Sequence, residues 1–458
     1  MSVAPSIFKR HLSNTLKATT MPLRVLIVGA GICGPVLANL LQRSNAPYDI
    51  TVVEQASSLR LSGQQLDLKA QGYPIVKKMG LLEAVRAHCV GETGAQMVDA
   101  GGAVIARFGV NDAEADESRF LTHEYEIMRG DLVKVFYEAS IEQRAKLDAA
   151  GRPGALAYEF GKTITALWQE EDGRDGVDVT FSDGQKQRYD LVVGADGQGS
   201  RTRRLLFGQQ ASEEAFRSLD VHAAFYSIPR GEGEGSDAKL YLGPGGRGVI
   251  TRTGDLPVTQ VYLFAMNKQH AEALKAASKE SPDTRRSLWM DLFRDAGWQS
   301  ERLTGAAATA DDFHAWELAQ IRLKQLHSGR VALLGDAGYC PTVFTGMGTT
   351  ASLVGAWVLA GELARHGNDV SRALQAYDEV MRSPIEEWRQ MLATVSTIRP
   401  PSSRLGVWLL HNAIWAFSSL SSLGTKLGIG FGQLSPLRPT EKEGAWRLPE
   451  YPELNPES

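Results

Sequence analysis

The sequence predicts an α/β fold in which a parallel sheet is interrupted by an α+β insertion. An apolar run at 25–28 leads into a glycine-rich turn and a segment with helical periodicity, as a buried parallel strand and its crossover helix would. Two later apolar strands, near 189–193 and 329–335, also end at turns that contain glycine and aspartate. Between them, residues 210–325 alternate in the manner of an antiparallel sheet.

The first strand opens a βαβ unit with the spacing of a Rossmann-like dinucleotide site. Gly29, Gly31 and Gly34 form a G-x-G-x-x-G turn, and the second strand ends on Glu54, 20 residues after Gly34. The first glycine permits a sharp turn, the second lets a pyrophosphate approach the backbone, and the third lets the helix pack tightly. The helix N-terminus offers free N–H groups to phosphate. Because Glu54 accepts hydrogen bonds from a ribose and repels a ribose phosphate, these residues favour FAD or NAD over NADP in this slot.

Size and charge restrict the class of protein. The chain has 458 residues, of which 43% are hydrophobic and 22% charged, and its net charge is −4. This length predicts two domains and this composition a globular protein in water, while the negative charge gives no reason to expect nucleic acid as a partner. Cys33, Cys89 and Cys340 lack C-x-x-C spacing, which argues against a disulfide framework and a zinc site, and no metal site is predicted.

The two ends of the chain leave alternatives open. Residues 1–21 are basic and contain no acid; we interpret them as a flexible leader, with a mitochondrial presequence as the alternative. Residues 406–431 are rich in Trp, Leu, Ser and Gly, and packing on the body is favoured over weak contact with a membrane surface. No stretch resembles a secretory signal or a clean membrane span. A cytoplasmic location is expected, with mitochondrial and peripheral-membrane alternatives, and the oligomeric state is left open.

The remaining elements follow from periodicity and from turn residues. Up to residue 194 we predict, in order, a polar segment at 60–67, a helix at 73–89, a hairpin at 95–110, an acidic loop at 111–118, an amphipathic helix capped by Asp131, and strands within 158–193. The insertion is predicted to contain strands at 221–228, 238–242, 248–252 and 258–265 and a helix at 286–293. The segment 243–248 also spells G-x-G-x-x-G, but it joins two strands and contains Pro244, so it is predicted to be a hairpin loop.

After the strand at 329–335 we expect a loop at 337–345, an apolar helix that opens at Gly346-Met-Gly348, and an amphipathic helix at 371–382 that Pro384 interrupts. His123 and His222 are isolated histidines for which we expect structural roles. Together these elements predict the following division: leader 1–21; nucleotide-binding domain 22–94, 119–209 and 327–395; a hairpin of the substrate domain 95–118; substrate domain 210–326; and a C-terminal helical segment with a tail 396–458.

Three glycine-rich junctions in one chain resemble a known family. They are Gly29 to Gly34, Asp196-Gly197, and Gly335-Asp336 followed by Gly346-Met-Gly348. This ordered set is similar to that of the class A FAD-dependent flavoprotein monooxygenases typified by para-hydroxybenzoate hydroxylase. Within that group, the segment 60–67 and the Arg-Gly-Asp-Leu at 129–132 look most like those of the tetracycline destructases and related natural-product hydroxylases. The likeness covers roughly residues 22 to 395.

The resemblance implies roles for individual residues. Arg129 and Asp67 would contact the FAD, and Arg60 would meet an incoming nicotinamide cofactor. Asp196 and Gly197 would lie near the pyrophosphates of both. The remaining expectations concern the flavin end of the site. Asp336 would bond the ribityl chain or the adjacent pyrophosphate, and the helix after Gly346 and Gly348 would point its N-terminus at the isoalloxazine ring. Tyr339, which stands where the family often has His, would form part of the pocket wall near the flavin. No catalytic residue is assigned.

The same resemblance implies an activity. We expect an FAD-dependent monooxygenase that uses NAD(P)H as a transient co-substrate and O2 to hydroxylate or epoxidise an apolar small organic molecule, aromatic or polyketide- or terpenoid-like, through a flavin C4a-hydroperoxide. One alternative is a flavin-containing dehydrogenase or cyclase of a natural-product pathway. A second alternative is a non-enzymatic protein on an FAD-type fold.

Overall fold

The structure is a computed structural model that describes residues 21–109, 125–170, 176–367, 369–395, 401–426 and 446–454. The leader up to residue 20, the acidic loop at 111–118 and His123 lie outside the described residues. The described part contains two large sheets, a three-stranded sheet and a two-stranded ribbon.

The strands are named here in chain order: β1 Leu23–Val28, β2 Tyr48–Glu54, β3 Gln65–Asp67, β4 Gly94–Val98, β5 Val104–Gly109, β6 Glu126–Met128, β7 Ala155–Phe160, β8 Ile164–Trp168, β9 Val177–Phe181, β10 Lys186–Tyr189, β11 Leu191–Gly194, β12 Phe216–Pro229, β13 Ala238–Gly243, β14 Arg247–Arg252, β15 Val258–Ala265, β16 His314–Ile321, β17 His327–Ser328 and β18 Val331–Leu333. The helices are α1 Cys33–Arg43, α2 Gly72–Lys78, α3 Leu82–Arg86, α4 Arg129–Ala149, α5 Arg201–Phe207, α6 Gln209–Ala215, α7 Lys268–Ala277, α8 Pro282–Phe293, α9 Ser300–Ala306, α10 Asp336–Tyr339, α11 Gly348–Arg365, α12 Val370–Val395 and α13 Arg404–Lys426.

The first large sheet has the strand order β17-β18-β11-β1-β2-β7, and all its pairs are parallel except β17 with β18. Its central strand is buried on both faces, as the apolar run predicted. Val25 and Ile27 pack on the layer of α1, α4, α11 and α12, whereas Leu26 and Val28 pack on the three-stranded sheet β10-β9-β8. Because β1, β11 and β18 are parallel neighbours, their carboxyl ends meet at one edge, where ligands bind in open α/β sheets.

The second large sheet has the order β16-β12-β15-β14-β13-β4-β5, and it confirms the predicted α+β insertion. The hairpin β4–β5 joins it through a parallel pairing of β4 with β13. The outer face carries a separate core that includes Tyr226, Leu263 and Phe293 and is covered by α8 and α9. The segment 243–248 connects the antiparallel strands β13 and β14, as predicted.

Three local predictions were wrong. The helix predicted at 73–89 is two short helices, because Gly80 between them takes a φ of +71°, which ends an α-helix. Asp131 is not the cap of α4: the helix begins two residues earlier, Met128 precedes it, and no side chain caps it. Pro384 does not interrupt α12, because buried side chains on both sides of it, Met381 and Ile385, hold the helix against the core.

The C-terminal part packs on the body, as favoured over membrane contact. Val407 and His411 on α13 are buried, and Ile414 packs with the apolar cluster of β4 and β5. The segment 446–454 returns to α11, where the Trp357 indole donates to the carbonyl of Pro449. Residues 427–431 of the predicted apolar segment lie outside the described residues. In the described chain, no helix combines the length and apolar character that a bilayer crossing requires.

Candidate cofactor-binding and active site

The glycine-rich turn after β1 contains two glycines that the fold requires and one, Gly31, that lies beside open space. Gly29 has a φ of +114°, and a Cβ there would lie 2.5 Å from the carbonyl oxygen of Ala195. A Cβ on Gly34 would lie 2.1 Å from the carbonyl oxygen of Gly29. By contrast, a Cβ on Gly31 would meet nothing closer than the Arg129 guanidinium at 3.6 Å. The fold itself therefore requires the first and third glycines, whereas the second leaves room for a ligand.

Glu54 ties the glycine-rich turn to the end of β2. Its carboxylate is 5% exposed and accepts hydrogen bonds from the backbone N–H groups of Ala30 and Ala56, each at 3.0 Å. The Arg60 Nε lies 3.8 Å from the same carboxylate, and half of the Arg60 side chain is exposed. Carboxylate oxygens have about four lone-pair sites in all, so the group retains capacity for a ribose hydroxyl.

Arg129 is the first residue of α4 and faces the same turn. The backbone of Gly63 packs against its aliphatic stem, since a Cβ on Gly63 would lie 3.1 Å from the Arg129 Cδ. Burial, together with the nearby charge of Arg60, lowers the pKa of Arg129, and the charges of Asp336 and Glu54 oppose this shift. Within the described chain, the Arg129 guanidinium is in no hydrogen bond or ion pair. Such a cation beside an open glycine suits a pyrophosphate.

Asp67 lies where the two-stranded ribbon β3–β6 reaches the start of α11. One carboxylate oxygen lies 3.7 Å from the Lys69 Nζ, and the other is buried with no partner among the described residues. The Thr350 hydroxyl donates to the backbone carbonyl of Lys69 at 2.8 Å, which fastens the ribbon to α11. A buried acceptor without a donor costs free energy unless a ligand supplies one.

The carboxyl end of β18 brings Asp336 towards α1. Burial raises the pKa of Asp336, and a hydrogen bond with Cys340 and the charge of Arg129 oppose the shift. The preceding Gly335 has a φ of +63°, and a Cβ there would lie 2.3 Å from the Cys33 sulfur. Burial raises the pKa of Cys33 to about 12, so this thiol stays protonated and acts as a close-packed spacer.

The aspartate in the turn after β11, Asp196, forms hydrogen bonds with residues a few positions further along the chain. Asp196 accepts hydrogen bonds from the Ser200 hydroxyl at 2.6 Å and from the Thr202 backbone N–H at 2.9 Å, which orders the start of α5. Gly197 has a φ of +77° and open space where a side chain would project. The geometry thus gives the Asp196 side chain a capping role and leaves the Gly197 backbone as the part that faces free space.

The start of α11 is open on the side of the second sheet. Gly348 has free space at its Cβ position, and the first turn contains neither an acidic residue nor a side-chain cap. Just before it, Thr342 is buried with a φ of +76°, a strained conformation for a β-branched residue of the kind that clusters at ligand sites. The Phe344 ring lies 5.9 Å from that of Phe264 on β15, so this loop faces the antiparallel sheet.

Tyr339 does not have the predicted position in the pocket wall. The predicted loop begins with the short helix α10, which turns the Tyr339 side chain into the core, where it is 1% exposed. Its hydroxyl accepts a hydrogen bond from Tyr377 at 3.2 Å. A Cβ on Gly355 of α11 would lie 1.7 Å from this hydroxyl, so the tyrosine fills space between helices.

Together these residues fit a long, phosphate-bearing cofactor such as FAD. Two helix N-termini without side-chain caps, those of α1 and α11, flank the carboxyl ends of β1 and β18. Between them lie the Arg129 guanidinium and the Asp67 oxygen that has no hydrogen-bond partner among the described residues. Positive helix ends and an arginine suit the pyrophosphate, and an orphaned carboxylate oxygen suits a hydroxyl or ring N–H donor.

Sequence reasoning missed several neighbours of this site. Lys69 pairs with Asp67, Cys33 packs on Gly335, and Thr342 adopts a strained backbone. His314 on β16 stacks on Trp316 with ring centroids 5.2 Å apart. Burial is the main cause that lowers the pKa of His314, and the positive charges of Arg60 and Arg129 lower it further. No local pattern marks these residues, because each depends on a contact between elements that are distant in the sequence.

Comparison with known proteins agrees with this geometry. The sequence matches the family described as FAD binding domain over residues 22–388. It is 41% identical over 440 residues to the FAD-dependent monooxygenase asL6 of Sarocladium schorii, covering 95% of this chain and 99% of that protein. It is 31% identical over 452 residues to the FAD-dependent monooxygenase asL4 of the same organism, covering 94% of this chain and 99% of that protein.

Solved structures show the same fold at lower identity. The crystal structure of tetracycline destructase Tet(51) superposes with a TM-score of 0.69 at 24% identity, covering 88% of this chain and 98% of that one. A variant of Klebsiella pneumoniae HpxO complexed with FAD gives a TM-score of 0.61 at 22% identity, covering 89% of this chain and 98% of that one. The family match across most of the chain and the relatives more than 30% identical over nearly its whole length show that this chain belongs to the FAD-binding-domain family of FAD-dependent monooxygenases.

Proposed function

We propose that this monooxygenase uses NAD(P)H and O2 to hydroxylate or epoxidise an apolar, ring-bearing molecule of a natural-product pathway. The observation that carries the proposal is a group of apolar side chains on the inner face of the antiparallel sheet, at the end that lies opposite the open start of α11. Phe264 on this face meets Phe344 of the loop that precedes the helix. The cofactor site and an apolar wall therefore face each other.

The two faces of that sheet differ in exposure. On the outer face, Val249 and Leu263 are each 1% exposed beneath α8 and α9. On the inner face, side chains of the same type are only partly covered: Leu240, Leu242, Ile250, Tyr262 and Phe264. Apolar side chains held half-covered on a rigid sheet are typical of the lining of a small-molecule pocket.

The chain's own residues bind and orient the cofactor and the substrate, and they exclude water from the site. Bound FAD would supply the redox chemistry, which is the oxidation of NAD(P)H and the transfer of one oxygen atom of O2 to the substrate, with the other oxygen atom released as water. The open N-terminus of α11 favours negative charge by about 0.3–1 kcal/mol when exposed and up to about 2 kcal/mol when partly buried. The apolar inner face keeps water from the reacting atoms.

The positions of β3 and the inner face are coupled. The backbone N–H of Gln65 donates to the Tyr262 hydroxyl at 2.9 Å, and that hydroxyl donates to Gln260 at 2.9 Å. Two residues further along β3 is Asp67, which we assign to the FAD together with Arg129. A shift of the substrate sheet would therefore move the cofactor-binding ribbon with it.

The remaining site assignments are part of this proposal. Arg60 is half exposed and would meet the nicotinamide cofactor. The other FAD contacts proposed are Gly29, Gly31, Gly34, Glu54, Asp196, Gly197, Asp336, Gly346 and Gly348. We also propose the division of the chain into a discontinuous cofactor domain and a substrate domain at 95–118 and 210–326.

The test is a substrate screen on the FAD-loaded protein. Candidate phenols, enols and heteroaromatic compounds are added while NAD(P)H oxidation and O2 uptake are followed together. The proposal predicts that a true substrate accelerates both at equal rates and that the product gains one oxygen atom by mass spectrometry. Substrate turnover without O2 incorporation would instead favour the dehydrogenase or cyclase.

A weak membrane contact through α13 is a second, separate proposal. On one side of this helix Leu405, Trp408, Leu409 and Trp415 are more than half exposed, and tryptophan is enriched at membrane interfaces. Co-sedimentation with vesicles of neutral and of anionic lipid tests it. Loss of sedimentation in Trp408→Ser would support the contact, whereas recovery of all wild-type protein in the supernatant would contradict it.

A further inference from the structure

A lysine that the proposed cofactor contacts do not include lies at the turn that opens α11. The Lys69 Nζ occupies the space beside Gly346: it is the nearest atom that a Cβ on this glycine would meet, and the nearest oxygen of Asp67 lies 3.7 Å from the same point. Gly346 also has a φ of +62°, so the backbone conformation and the ammonium group both favour glycine there. The positive group of the pair is therefore closer to this turn than the negative one.

The backbone of Lys69 is fixed on two sides. Its carbonyl oxygen accepts hydrogen bonds from the Thr350 hydroxyl in the first turn of α11, at 2.8 Å, and from the backbone N–H of Gly72 at the start of α2, at 3.0 Å. Thr350 is fully buried, and the residue after the lysine, Ala70, has a φ of +47°, which is uncommon for a residue other than glycine. These contacts hold the lysine and the start of α11 in one position relative to each other.

The Lys69 ammonium retains hydrogen-bonding capacity for a ligand. Its side chain is 20% exposed, and its one polar contact among the described residues is the ion pair with Asp67, which at 3.7 Å is too long for a hydrogen bond. The other oxygen of Asp67 is buried without a partner in the same part of the chain. A cation with free donors beside an acceptor without a donor suits a ligand edge that carries both kinds of group. The pyrimidine edge of the FAD ring is such an edge, because it has an N–H between two carbonyl groups.

We propose that Lys69 raises the reduction potential of FAD by placing a positive charge beside the part of the ring that becomes negative on reduction. This inference rests on the proposed function and on the assignment of the flavin ring to the start of α11. A hydride from NAD(P)H brings two electrons and one proton, so the ring gains one negative charge as NAD(P)H becomes NAD(P)+. The ammonium group and the N-terminus of α11, whose first turn has no acidic residue, both favour that charge. Asp67 lies further from the turn and screens the ammonium only in part.

The test is the midpoint potential of the FAD-loaded protein, measured anaerobically by reduction in equilibrium with a reference dye and without any nicotinamide. In Lys69→Met, reduced FAD should bind about tenfold or more weakly relative to oxidised FAD, which lowers the potential by about 30 mV or more. Lys69→Gln, a second neutral variant, should show the same shift, whereas Lys69→Arg keeps the charge and should stay near the wild-type potential. Lys77→Met, at an exposed lysine on α2, is the matched control and should leave the potential unchanged.

The affinity for oxidised FAD separates a lost charge from lost packing. Fluorescence titration of oxidised FAD into the neutral variants should show a Kd raised by less than about tenfold, the cost of one hydrogen bond. Equal potentials in wild type and both neutral variants would overturn the inference. A fall in the potential that Lys69→Arg shares in full would also overturn it, because the cause would then be a lost contact. The same holds if neither neutral variant binds oxidised FAD, since Lys69 would then hold the cofactor in both redox states.

These measurements use neither a nicotinamide nor a substrate, so they can fail independently of the proposed function. Potentials that do not follow the charge at residue 69, together with O2 incorporation in the substrate screen, would reject the inference and leave the monooxygenase proposal in place. Potentials that follow this charge, with no compound that couples NAD(P)H oxidation to O2 uptake, would support the role of Lys69 and reject the proposed activity.

Discussion

The substitution Gly31→Ala should weaken FAD binding without destabilising the fold. A Cβ at this position meets only the Arg129 guanidinium at 3.6 Å, an ordinary contact, and Gly31 is not among the glycines with a positive φ. The protein without FAD should therefore be as stable as wild type or gain up to about 1 kcal/mol, as Gly→Ala does at a compatible backbone position. The methyl group, however, occupies the space that a pyrophosphate needs to reach the backbone.

The expected loss of FAD affinity follows from one hydrogen bond. If the displaced phosphate loses one charge-assisted bond, worth about 1.5–3 kcal/mol, the Kd for FAD rises about ten- to a hundredfold. Titration of FAD into the apoprotein, followed by quenching of flavin fluorescence, measures this change, and urea unfolding measures stability. The control is Gly34→Ala, whose Cβ would lie 2.1 Å from a backbone oxygen. This variant should lower both the affinity for FAD and the free energy of unfolding. Wild-type FAD affinity in Gly31→Ala, or equal destabilisation of the two variants, would refute the reasoning.

Three further predictions concern stability. Arg252→Met removes the cation that pairs with two buried carboxylates, Glu92 and Glu126, so urea unfolding should show a loss of about 3–5 kcal/mol, whereas Arg294→Met at an exposed pair should change little. Burial lowers the folded-state pKa of His222 below its unfolded value of about 6.5, so the stability that it contributes is present above that pH and is lost as the pH falls through the folded pKa. Unfolding midpoints at pH 7.5 and 5.5 should show a drop that His222→Gln reduces; an unchanged drop would contradict this origin. Pro384→Ala restores a hydrogen-bond donor inside α12 and should raise the melting temperature by an amount equivalent to about 1–3 kcal/mol, and a decrease would indicate that the proline ring packs usefully.

Much of the fold was predictable because its signals are local. The strand at 25–28, the glycine turn and the acid at 54 predicted a parallel sheet with a nucleotide site, and the alternating strands between 221 and 265 predicted the antiparallel insertion. The errors also have local causes. A single glycine, Gly80, divided a predicted helix, and Pro384 was tolerated because burial on both sides outweighs the cost of one missing hydrogen bond.

The site was only partly predictable, for a different reason. The family resemblance gave roles to Arg129 and Asp67. The geometry adds that the Arg129 guanidinium lies beside Gly31 and that one Asp67 oxygen is buried with no donor among the described residues. The same resemblance misled for Tyr339, whose neighbours in the sequence suggest a pocket loop. Its side chain is instead fixed by Tyr377 and Gly355, which lie on other helices.

The sequence by itself determined the layers of this protein and the presence of an FAD-type turn, since periodicity, glycine spacing and the spaced acid act over a few residues or one βαβ unit. Only the tertiary structure decided which polar groups remain without partners. The Asp67 oxygen that has no partner among the described residues is buried because the ribbon β3–β6 packs on the start of α11. Such packing arises from burial summed over the whole core, so no short stretch of the chain encodes it.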